Sequence, residues 1–144
     1  MAKRVSQQTP VAAVCPIAYR RRQRQIEYCL SLIEGDSRWE FPHGELADGE
    51  PLAAAAARIA RESLGIRCHV DDEPLDEFQI LRNGSTYRVI AMLTECVKED
   101  ANSSGVELHG RRWFLHDEAS VRIRRKPMRR CAFLAKRRID ATGA

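Results

Sequence analysis

The residues best suited to chemistry lie between Trp39 and Ile66. A glycine-containing loop, His43-Gly44-Glu45-Leu46-Ala47-Asp48-Gly49, runs directly into an alanine-rich segment. A loop-to-helix joint offers free backbone N–H groups and the positive end of a helix dipole, both favourable to phosphate. Glu45, Asp48, Glu50 and Glu62 bring carboxylate oxygens into the same region. Oxygen donors of this kind suit Mg²⁺ or Mn²⁺ bridging a pyrophosphate. The combination points to metal-assisted chemistry on a phosphate chain. Acidic loop-to-helix joints are common, so the spacing has to carry the argument.

That spacing is informative. Gly44, Glu50, Arg58, Glu62, Gly65 and Ile66 resemble the skeleton of the Nudix box, G-x5-E-x7-R-E-U-x-E-E-x-G-U, where U is aliphatic. Trp39-x-Phe41-Pro42-x-Gly44 and the Ala55-Ala56 pair are similar to the family's approach to that box. The resemblance, to the MutT-like Nudix hydrolases, extends over nearly the whole chain. It implies a Nudix-type α/β/α sandwich with a mixed β-sheet between helices, formed by residues 1–144 as one domain. It also implies a divalent-metal-dependent pyrophosphohydrolase acting on a nucleoside diphosphate linked to another moiety. Water would attack phosphorus while metal-bound phosphate oxygens carry the developing charge.

Within the family, Phe41-Pro42-His43-Gly44 resembles the F-P-K-G of diadenosine tetraphosphate hydrolases, with His43 in the lysine position. Glu107 stands six residues before Trp113, similar to the segment of those enzymes in which a glutamate reaches the metals. The resemblance implies that Glu62, Glu107 and the Gly44 carbonyl hold Mg²⁺ or Mn²⁺, with Glu62 and Glu107 as the catalytic carboxylates. His43, Gly44 and Tyr87 would contact substrate, Tyr87 by stacking on a base. Glu50, Arg58 and Gly65 would support the box, Arg58 by pairing with Glu50 or Glu62. The alternative for Glu107 is a solvated loop carboxylate, and for Tyr87 an ordinary sheet residue.

Three box positions depart from the pattern: Ile59, Ala60 and Ser63 stand where the family has glutamate, an aliphatic residue and glutamate. Positions 59, 62 and 63 are three and four apart and share a helical face. Only Glu62 remains of three carboxylates there. One carboxylate with a carbonyl holds Mg²⁺ poorly, because that ion prefers several oxygens in octahedral geometry. The second functional class is therefore a catalytically inactive Nudix-fold module that binds a nucleotide or RNA.

The elements that must position these residues follow from local pattern. Val11–Tyr19 and Ile26–Ile33 read as strands joined across an arginine-rich hairpin, with Pro16 arguing for an edge or a bulge. Trp39–Pro42 is extended, since the residue before proline avoids the helical region. Pro51 suits a first helical turn, Leu52–Leu64 is rich in good helix formers, and Gly65 closes the helix. Leu75–Leu81 and Thr86–Cys96 read as strands around an Asn83-Gly84 turn. Lys98–Gly105 reads as a polar loop and Arg111–Leu115 as a short strand. Pro127 opens a final helix whose Met128, Cys131, Ala132, Ala135 and Ile139 keep helical spacing.

Composition bounds the rest. The 144 residues are 44% hydrophobic and 31% charged, which excludes disordered and fibrous classes. No apolar run approaches the roughly 18 residues of a membrane span, and Met1–Pro10 lacks the apolar core of a signal peptide. The expected location is cytoplasmic, with Cys15, Cys29, Cys68, Cys96 and Cys131 reduced. Nine Lys or Arg and no acid lie between Ser120 and Ile139, and Arg20, Arg21, Arg22 and Arg24 form a second cluster. Such clusters suit a polyanion, and equally the wet face of a helix and a hairpin tip. The expected partner is a nucleotide-type small molecule. Nucleic acid is an alternative that is not favoured, and the sequence leaves the oligomeric state open.

Overall fold

The computed structural model describes residues 11–33, 38–99 and 110–142. Among these residues, eight strands and three helices follow in order: β1 (Val11–Arg22), β2 (Gln25–Leu32), β3 (Trp39–Glu40), β4 (Gly44–Glu45), α1 (Leu52–Leu64), β5 (Ile66–Val70), β6 (Asp76–Arg82), β7 (Ser85–Glu99), β8 (Arg111–Leu115), α2 (His116–Arg122) and α3 (Lys126–Thr142). One mixed sheet runs β3-β2-β1-β7-β5, with β4 beside β1, β6 beside β7 and β8 beside β2. The central β1–β7 pair is parallel.

Side-chain alternation explains the layers. Ala13, Cys15, Ile17 and Tyr19 of β1 face one core, and Val14 and Ala18 face the other. A strand apolar on both faces has to lie between two helical layers. Helix α1 covers one side through Ala55, Ala56, Ile59, Ala60 and Leu64. Helices α2 and α3 cover the other through Ala119, Met128, Cys131, Ala132, Ala135 and Ile139. The result is the expected α/β/α sandwich. Each large side chain fully buried here, such as Ile17, Leu30 or Phe114, contributes about 1.5–3 kcal/mol of transfer free energy.

Two long strands change partners partway. β1 pairs with β4 at Ala13 and Val14, then with β2 from Tyr19 onward. β7 pairs with β6 through Ala91, then with β5 from Thr94. Pro16 occupies the gap on β1 between its two antiparallel partners, while remaining in register with Met92 of β7. The expectation of an edge or a bulge at Pro16 is thus corrected. The strand is central, and the proline sits where one of its flanks has no ladder to break.

Both hairpins use left-handed turn residues: Gln23 and Arg24 join β1 to β2, and Asn83 and Gly84 join β6 to β7. Lys98 and Glu99 continue β7, paired with Arg67 and Ile66 of β5, so the polar loop begins later than its composition suggests. The remainder of that segment lies outside the described residues. No described helix is long and apolar enough to cross a membrane.

Candidate functional site

Helix α1 starts after Pro51 and ends at Gly65, whose φ of 67° lets its N–H donate to the Arg61 carbonyl at 3.0 Å. From the middle of the helix, Arg58 reaches back to hold the loop together. Its Nε and Nη2 donate to the two Glu50 carboxylate oxygens at 2.9 and 3.0 Å. Nη2 also donates to the Glu45 carbonyl at 2.8 Å, and Nη1 to Glu62 Oε1 at 3.3 Å. The Ala47 N–H donates to Glu50 at 3.1 Å. Hydrogen bonds from Arg58 and then Ala47 hold the Glu50 carboxyl below the usual carboxylate range. Arg58 therefore pairs with both acids expected for it.

The other side of the box is apolar. Ile59 is 3% exposed and packs with Val14, Ala55, Ala56, Ile90 and Met92. Its side chain rests on Gly44: a Cβ placed on that glycine would stand 3.1 Å from Ile59 Cγ1 and 3.2 Å from Cδ1. Glu62 points the other way, its side chain 58% exposed, and Ser63 is half-buried. The face shared by positions 59, 62 and 63 thus turns from core to solvent within one helical turn.

Strand β4 leads to a cavity of about 240 Å³ whose walls include His43, Gly44, Glu45, Ile80, Tyr87 and Val89. The structure brings His43, Gly44 and Tyr87 into this one space, in the half of the sheet formed by β4, β1, β7 and β6. Tyr87 is 37% exposed, leaving part of its ring available for contact. Glu45 also lines the cavity, because strand alternation turns it away from the side on which Gly44 meets Ile59. Sequence reasoning counted Glu45 among the loop carboxylates without assigning it to the binding surface. The two-residue strand that orients it is defined only by pairing with Ala13 and Val14.

A NUDIX domain model matches residues 9–134. The chain belongs to the Nudix family. Solved structures agree on the fold. A C. elegans Ap4A hydrolase binary complex superposes with a TM-score of 0.76 at 18% identity, over 92% of this chain and 99% of that one. The NUDIX domain of Shewanella oneidensis NrtR, complexed with ADP ribose, gives 0.68 at 12% identity over 96% and 97%. A NUDIX hydrolase from Nitrosomonas europaea gives 0.65 at 18% identity over 94% and 97%. No curated protein sequence matches the chain significantly.

Nudix hydrolases generally use divalent metals, so the donor set of this Nudix domain has to be tested for fit. Among the described residues, no three His, Cys, Asp or Glu side chains come together around a common point. Glu50 and Glu62 share Arg58, and position 59 offers a buried hydrocarbon against Gly44. Mg²⁺ is commonly held by one or two carboxylates, with water and substrate phosphate completing its shell, and Glu62 is the solvent-facing carboxylate the box helix offers for that role. Of the three box positions at which the family pattern carries glutamate after Arg58, this chain keeps a carboxylate at Glu62. Glu107, the expected ligand outside the box, lies outside the described residues.

Several of the remaining aromatic and basic residues have partners within the fold. Trp39 packs edge-on against Phe114 at 5.0 Å, and Arg20 lies 4.0 Å over the Trp113 ring. Arg125 pairs at 2.8 Å with Glu40, a carboxylate only 3% exposed. Arg130 pairs with Asp76, Arg122 with Glu118, and Arg138 with Asp71. Arg129 donates to the Ile123 and Arg124 carbonyls. Much of the basic C-terminal segment is occupied within the fold.

Proposed function

We propose that this Nudix domain binds a nucleotide-type small molecule in the β4 cavity, and that its box serves packing rather than metal-dependent hydrolysis. The observation that carries this reading is Ile59 seated on Gly44. The position that would present a carboxylate to a metal is instead part of the core. The cavity suits the nucleoside end of such a ligand. The partly exposed Tyr87 ring offers a stacking surface. The Glu45 carboxylate can accept hydrogen bonds from ribose hydroxyls or an exocyclic amine. Two structural neighbours, described by Ap4A and ADP ribose, support the nucleotide class.

A titration of ADP, ADP-ribose and diadenosine tetraphosphate in EDTA tests the reading. Binding of at least one should persist without metal and weaken about tenfold in Tyr87→Ala, the scale of one stacking contact. Absence of binding in EDTA, or indifference to Tyr87→Ala, would overturn it.

A second reading, weak Mg²⁺- or Mn²⁺-dependent pyrophosphate hydrolysis using Glu62 and Glu107, is favoured by one contact. Arg111 donates to the Leu64 carbonyl at 2.7 Å and pairs with Glu99 at 3.0 Å. The chain on either side of residues 100–109 is thereby tied to the end of α1, less than one turn beyond Glu62. Metal-dependent turnover that Glu62→Gln or Glu107→Gln removes would establish this second reading.

A further inference from the structure

Three of the five cysteines, Cys29, Cys68 and Cys96, gather against one small core with Ala18, Ala60, Leu64 and Ile66. Two of them face each other. The β5–β7 ladder pairs His69 with Glu95 and Cys68 with Cys96, then skips Val97 before resuming at Arg67 and Lys98. Directly opposed residues of an antiparallel pair have Cα atoms about 4.5–5.5 Å apart. That separation falls inside the roughly 4.4–6.8 Å a disulfide spans. Both side chains leave the same face of the sheet, since both pack on the same cluster. Each is half-buried, whereas Cys15, Cys29 and Cys131 are buried.

We propose that Cys68 and Cys96, free thiols in this structure, are a reversible modification site that closes to a cross-strand disulfide under a low-molecular-weight disulfide oxidant. Cys96 is the attacking group. It is the less deeply buried of the two; burial and then Glu99 raise its thiol above the ordinary value, while Arg20, the Lys98 N–H and Arg111 work against that rise. Burial, with Cys96 alongside, pushes the Cys68 thiol up to about 12, so it is the slower nucleophile and acts second, on a mixed disulfide held directly opposite it in the ladder. The Cys96 thiolate attacks one sulfur of the oxidant and expels the other as a thiolate. Cys68 then gives up its proton, attacks the Cys96 sulfur of the mixed disulfide and expels the second small thiolate. Two protein S–H bonds and one oxidant S–S bond become one protein S–S bond and two small thiols. The two electrons pass to the oxidant.

The bond would join β5 to β7 beside the last turn of α1, where Leu64 and Ile66 pack on the same cluster. Oxidation would therefore stiffen the end of the box helix without entering the β4 cavity. This site does not depend on what the cavity binds.

The test uses the full chain, fully reduced and then incubated with oxidised glutathione. Titratable thiols under denaturing conditions should fall from five to three, with the mass lower by two hydrogens. Trypsin should release fragments 68–82 and 89–98 as one linked species that a reductant separates. Cys68→Ser and Cys96→Ser should each abolish the link, and Cys29→Ser should leave it. The melting temperature of the oxidised chain should rise by several degrees and return on reduction. A link containing Cys29, a glutathione adduct that never closes, or five persistent thiols while alkylating agents label Cys68 and Cys96 would each overturn the proposal.

Discussion

Ile59 and Gly44 are packed against each other across the start of the box, close enough that any side chain at position 44 has to displace Ile59. The contact joins α1 to β4, and β4 forms a wall of the ligand cavity. The same two positions serve the core and shape the site.

Gly44→Ala should therefore cost about 1–3 kcal/mol, the usual range for overpacking. The 3.1 Å neighbour is a side-chain carbon, so relief is available from the other partner. Combined with Ile59→Ala, which alone leaves a cavity costing about 2–5 kcal/mol, the penalty of Gly44→Ala should disappear. Strict additivity in urea unfolding of the four proteins would contradict the contact.

Restoring carboxylates tests the same position from the metal side. Ile59→Glu with Ser63→Glu places a charge among Val14, Ile90 and Met92, and should lower the melting temperature without metal. Mn²⁺ should recover part of that loss and bind more tightly than to the parent. Equal Mn²⁺ affinity in both proteins would show that position 59 does not face a metal site.

Arg58→Met should destabilise the fold in a pH-dependent way. Glu50 has a folded pKa below its unfolded value because Arg58 donates to it. Its contribution is present above the ordinary glutamate range, near about 4.3, and is lost as pH falls through the depressed folded value. The urea midpoint should differ between parent and variant at pH 7, and the gap should narrow in acid. A constant gap would mean that Arg58 stabilises by packing alone.

Arg125→Gln should cost about 1–3 kcal/mol, since it removes the nearest cation of the buried Glu40 carboxylate and leaves Arg38, at 4.0 Å, as the remaining one. The alternative, that this basic segment serves nucleic acid, predicts a different result. RNA affinity would then fall by roughly 0.7–0.9 log units per log unit of salt for each phosphate neutralised, and the folded state would lose little. Thermal melts and an RNA titration at two salt concentrations separate the outcomes.

What the sequence made legible was periodic or motif-bound. The box helix, its Gly65 stop, the Asn83-Gly84 turn and the apolar face of α3 all follow from local rules. Strand β4 carries no local signal, because two residues become a strand only through β1, about thirty residues earlier. Helix α2 buries a single residue, Ala119, so it carries no apolar periodicity; Asp117 and Glu118 in its first turn were the available signal. β5 alternates correctly, yet it is short and follows the helix stop immediately. The motif located position 59 but not its burial, because spacing fixes a helix face while the neighbouring strands decide which part of that face is covered.

The most direct measurement is incubation of the reduced chain with diadenosine tetraphosphate, followed by chromatography, in Mn²⁺ and in EDTA. A box built for packing predicts that the dinucleotide stays intact in both, at protein concentrations where it is bound. Products that form only with Mn²⁺, and vanish in Glu62→Gln, would contradict it.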